Sequence, residues 1–126
     1  MKVEVSIGEL VDKATILHIK SERIKQPEKL KNINKEFSLL KKAMESAGIN
    51  QESDEYKRLY EINSRLWDIE DAIRQKEADK SFDSQFIEIA RSVYFNNDKR
   101  AEVKRGINLK YGSDLVEEKS YRPYSQ

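Results

Sequence analysis

The 126-residue chain has no cysteine, two prolines, four glycines, one histidine and one tryptophan. Without cysteine there is no disulfide and no thiolate-bound zinc, a composition that fits a reducing compartment. With so few helix breakers, long helices joined by short connections are expected. Neither charge is in excess: 24 Lys and Arg stand against 23 Asp and Glu, a net charge of +1. That balance argues against a nucleic-acid binder, which normally carries a strong basic excess. No run of about 18 apolar residues is present, so no membrane-spanning helix is expected. The opening "MKVEVSIGELVDK" lacks the continuous apolar stretch of a signal peptide, which makes the cytoplasm the default location. The glycines, at 8, 48, 106 and 112, are scattered and form no phosphate-cradling loop. His18 stands alone, so a two-histidine metal site is excluded, and with no nucleophile motif beside it the residue reads as a packed helical histidine.

What is present is patterned for helices. Charged and apolar residues each make up 37% of the chain, enough for a modest core in one domain spanning 1–126. Lys2–Val5 alternate and predict a short extended segment. "SIGE" then offers a capping box, with Ser6 as N-cap and Glu9 reaching back. A first helix over 7–25 carries Ile7, Leu10, Ala14, Leu17 and Ile24 on one stripe, with Ile16 and Ile19 on the adjoining face. A helix apolar on more than one side sits centrally. Pro27 opens a second helix (27–47) with the seam Leu30, Ile33, Phe37, Leu40, Met44. Gly48 ends it, and a third helix (54–78) repeats such a seam in Tyr56, Leu59, Ile62, Leu66, Ile69 and Ile73. The matching seams predict that the second and third helices form a long antiparallel hairpin. In a last helix over 83–111, Phe86, Ile89 and Val93 stay in phase with Val103 and Ile107 across a polar island, Asn96 and Arg100, which favours one continuous helix. The fold class expected is therefore all-α, a four- to five-helix bundle around a long hairpin, with an extended tail over 113–126.

Function is less legible. Three polar stripes invite convergence: Glu9, Asp12, Ile16, Ile19 and Arg23 on the first helix; Tyr60, Asn63, Trp67, Asp71 and Arg74 on the third; Arg91, Tyr94, Asp98, Ala101, Arg105 and Asn108 on the last. If they meet, Trp67, Asp71, Arg91, Tyr94, Asp98, Lys104 and Arg105 would surround a cleft for an anionic small molecule, because a guanidinium matches carboxylate and phosphate. The alternatives are a satisfied internal ion-pair network and a homo-oligomer seam, where Arg, Tyr and Trp also gather. Glu9/Asp12 and Asp68/Asp71 are i,i+3 carboxylate pairs able to share a Mg²⁺, resembling the acidic motifs of all-α NTP pyrophosphohydrolases. With 23 acids in the chain, about four such pairs are expected by chance and four occur. The basic run "KRAEVKRGINLK" suits a solvated face or a phosphate contact, and Gly106 within it is costly in a helix.

Four blocks, "VSIGELVDKATILHIKSERI", "RLWDIEDAIR", "FIEIARSVYFNNDKRAEVKRGIN" and "LVEEKSY", together resemble a family of small uncharacterised bacterial and phage proteins with a domain of unknown function, found at times near glycosyltransferases. The resemblance implies a compact helical domain that includes the "LVEEKSY" tail, and it carries no activity with it. Its block positions here include Glu9, Asp12, Lys13, Trp67, Asp68, Glu70, Arg91, Tyr94, Asn97, Asp98, Arg100, Lys104 and Arg105, overlapping the polar stripes. The first helix also loosely resembles that of helical chorismate mutases, although Pro27 cuts it short. The expectation is a non-catalytic binding or protein-interaction module, with a small ligand-binding protein or enzyme as the alternative.

Overall fold

A computed structural model describes residues 1–120 and shows four helices: α1 (Ile7–Arg23), α2 (Pro27–Ser46), α3 (Asp54–Ala78) and α4 (Ser84–Lys110). Among the described residues there is no strand, and Lys2–Val5 are exposed coil rather than a paired segment. The local signals fix the boundaries. Ser6 caps α1 by accepting from the Glu9 backbone N–H, Pro27 opens α2, and Asp83 caps α4 by accepting from Phe86 N–H. Gly48 lies at φ +90°, in the left-handed conformation that lets the chain leave α2. Only half of the expected capping box forms, because the Glu9 carboxylate bonds Lys104 instead of reaching back.

The helices pair differently from the seam-based expectation. α2 packs along α1 and not along α3; the long antiparallel hairpin is α3 with α4, and α1 lies against all three others. The reason is visible in α1. Its apolar girth buries Val11, Ala14, Leu17 and Ile19, so one side accepts α2 while the other closes the α3–α4 groove. The shared core joins Val11 and Ala14 to Met44, Ile49, Tyr56, Leu59 and Ile107. α4 is continuous through the "NND" segment, as its phase predicts.

α1 and α4 approach closely at Gly8. Its N–H donates to the Asn108 side chain at 2.6 Å, and a Cβ there would stand 2.5 Å from the Lys104 carbonyl oxygen. Past Gly112 (φ +67°) the chain turns back, Ser113 Oγ accepts from Ile7 N–H at 3.0 Å, and an extended strap runs along α4. The expected extended tail is thus seen over 113–120; its remainder, 121–126, lies outside the described residues.

Candidate functional site

The polar stripes do converge, on a different face of α4 from the one singled out in sequence. Asp12 is buried at the meeting of α1, α3 and α4 (1% exposed). Arg100 donates to it through Nε at 2.9 Å and Nη2 at 2.5 Å, a two-pronged grip that only a guanidinium can give a carboxylate. The Asn63 amide donates to the same carboxylate and to Thr15 Oγ1, both at 2.9 Å. Lys104 bridges outward, holding Glu9 at 2.8 Å and Glu117 of the strap at 3.2 Å.

The charges are tuned by this packing. The hydrogen bond to Asp12 raises the Arg100 pKa above its ordinary value, outweighing desolvation. Burial pushes the Lys104 ammonium down, but its bond to Glu9, the Asp12 charge and the bond to Glu117 prevail and leave it raised. The Glu117 carboxyl is held below its usual range by Lys119 first and Lys104 second. Among the described residues no buried side-chain nitrogen or oxygen lacks a partner. With Arg100 on both oxygens and Asn63 on one, the carboxylate of Asp12 is committed to fastening three helices and is poorly placed to accept a proton from a substrate.

The residues expected around one cleft are divided among three places. Trp67 and Asp71 line a half-open cleft of about 320 Å³ with Ile16, Ile19, Leu66 and Arg100. Arg23 lies over the Trp67 ring and bonds Asp68 at 2.6 Å. Asp98, Lys104 and Arg105 line a shallow groove under the strap, where Arg105 meets Glu118 at 2.9 Å. Arg91 and Tyr94 sit further along α4, 3.3 Å apart through Arg91 Nε and the Tyr94 hydroxyl, and line neither. The stripe read as a converging face is therefore half solvent-facing and half covered by the strap. Arg100, placed in the polar island of the apolar stripe, carries the network; its signal was a charged residue in phase with Val93 and Ile107.

Three of the four carboxylates suggested for Mg²⁺ are held by cations: Glu9 by Lys104, Asp12 by Arg100, Asp68 by Arg23. Among the described residues, no three His, Asp or Glu side chains gather as a metal-sized group. His18 is packed as expected, with Nδ1 2.9 Å from the Tyr56 hydroxyl and its ring stacked on Phe37 and tilted against Tyr60.

The docking of Glu117 and Glu118 ties the "LVEEKSY" block to α4 and, through Lys104, to Glu9 of α1, and the family comparison takes in the same segment. The chain belongs to the family of unknown function DUF6165, whose model matches residues 1–125. No curated protein and no solved structure matches it. Membership therefore agrees with the resemblance in sequence and assigns no chemistry. No helix is long and apolar enough to cross a membrane among the described residues.

Proposed function

We propose that this chain is a non-catalytic protein-interaction module whose contact surface is the α3–α4 hairpin. One observation carries the reading. No residue from Ser64 to Gly106 is buried, although that stretch holds Trp67, Ile69, Ile73, Phe82, Phe86, Ile87, Val93 and Phe95. Phe82 and Ile87 are more than half exposed. The cause is a mismatch of lengths. α1 reaches Asp68 through Arg23, and α3 then continues to Ala78, about 15 Å further, with only α4 beside it. A two-helix arm only partly covers one stripe per helix and leaves the flanks uncovered, and uncovered apolar surface of this kind marks interaction sites.

Site-specific photo-cross-linking in cells tests it. A photoreactive side chain at Ile69, Ile73 or Phe86 should give discrete adducts, while the same group at Lys35 or Lys42 on α2 should not. Equal labelling of both sets, or no adduct from the arm, would sink the proposal.

A second reading is favoured by the Trp67 cleft, whose volume of about 320 Å³ is at the lower end for a small-molecule site. Its one cation, Arg100, is already engaged by Asp12, so the support is the apolar wall rather than an anion-binding fork. A panel of nucleotides and sugar phosphates, with and without Mg²⁺, should quench or shift Trp67 fluorescence if this reading holds; an unchanged spectrum throughout would dismiss it.

A further inference from the structure

We infer that the partner of the hairpin is a second copy of this chain, joined through the outer face of α3 and α4 about a two-fold axis; this rests on the interaction-module reading above. The outer face, opposite α1, holds a groove of about 550 Å³, floored by Ile62, Val103, Ile107 and Gly106. Gly106 is the telling residue. Its counterpart Gly8 is required by the approach of α4, whereas a Cβ at Gly106 would meet nothing within 4 Å. A glycine inside a helix destabilises it relative to alanine, and no contact within the chain calls for this one. It leaves the backbone of α4 bare at the floor of an open groove.

The charges identify the occupant. At the base of the hairpin Arg58, Lys99 and Glu102 rim the groove, and none of the three has an ion-pair partner among the described residues. Glu88, near the tip, is exposed and equally without one. It lies about five helical turns before Gly106, hence on the same face of α4. One end of the face thus offers two unpaired cations against one unpaired acid around an apolar floor, a net positive charge, and the other end offers an unpaired acid. An antiparallel pairing of two hairpins sets each Glu88 over the other copy's Gly106, within reach of Arg58, and makes that contact twice, as an isologous interface requires. The area suffices: a face about 40 Å long and two helices wide presents roughly 800 Å², the amount each partner contributes to a standard interface.

Sedimentation equilibrium across the micromolar range tests this on the full chain, whose mass is 14.8 kDa. The expected species has twice that mass. Glu88→Lys and Arg58→Glu should each weaken association about tenfold or more, and the double variant should recover most of it. Both side chains are exposed, so the circular dichroism spectrum should stay as in the parent. Gly106→Trp, which meets no steric obstacle within the chain, should abolish the dimer while leaving a folded monomer. A monomer at every concentration, a dimer indifferent to all three changes, or a double variant that stays weak would overturn the pairing. Arm cross-links to a species of another mass would then preserve the module and refute the second copy; absence of all arm cross-links would refute both.

Discussion

Arg100 grips Asp12 from 88 residues away in sequence, closing two nitrogens on both carboxylate oxygens at 2.9 and 2.5 Å. Asp12 is 1% exposed, so removing its partner strands a charge in the interior. Arg100→Ala should therefore cost about 3–5 kcal/mol in urea unfolding. Replacing both partners with apolar residues of similar volume, Asp12→Leu with Arg100→Met, should cost much less than the single change. A double-variant loss equal to the sum of the Asp12→Leu and Arg100→Met single losses would mean that the pair contributes no coupling.

The two helical glycines make opposite predictions. Gly8→Ala drives a methyl group into the Lys104 carbonyl at 2.5 Å and should destabilise by about 1–3 kcal/mol. Gly106→Ala meets open space and should raise monomer stability by about 0.5–1 kcal/mol. Melting temperatures of the two variants, measured at the same low concentration, should move in opposite directions.

The strap has an acid limit. Glu117 titrates below its ordinary value because Lys119 and Lys104 favour its charged form. Its docking contribution is present above the carboxyl's unfolded value and disappears as pH falls through the lowered folded value. NMR titration should show the Glu117 carboxyl and the 115–118 amides shifting together below the usual glutamate range. Glu117→Gln should release the same amides at neutral pH; if they stay put, Lys104 does not hold the strap.

An alkaline limit follows from the interior. Burial pushes the Tyr56 hydroxyl up to about 12, and Lys104 is raised as well. Between the unfolded and folded values the native state holds more protons than the unfolded one, so stability falls as pH rises above about 10, by up to about 1.4 kcal/mol per unit for each group. Denaturant midpoints from pH 9 to 11 should show this decline, and Tyr56→Phe should flatten part of it.

Sequence reading located the helices well because their ends carry chemical markers: Ser6, Pro27, Gly48 and Asp83 each act where backbone groups need them. Pairing was harder. The seams of α2 and α3 each announce that something packs there, yet neither specifies what, and α1 with its wider apolar girth took both. The site was visible in part. Asp12 was recognisable on the polar stripe of α1 and Arg100 as a charge within an apolar stripe of α4, but nothing in one sequence ties position 12 to position 100. Arg91, Tyr94 and Arg105 stood out as a periodic polar stripe, which a solvent-facing flank produces as readily as a cleft. The uncovered arm depends on where α1 ends relative to α3, a relation that appears only when the helices are stacked.

The grip of α4 on α1 also has an order in time. Gly8 and Asp12 are made early, whereas Asn108 and Arg100 follow about ninety to a hundred residues later. At roughly 5–20 residues per second, α1 waits on the order of 5–20 s for its partners to leave the ribosome. Until then the Asp12 carboxylate lacks its guanidinium, and α1 has only α2 and then α3 to lean on. The nascent chain therefore lacks its α4 clasp for most of its synthesis, and it locks only when that helix arrives.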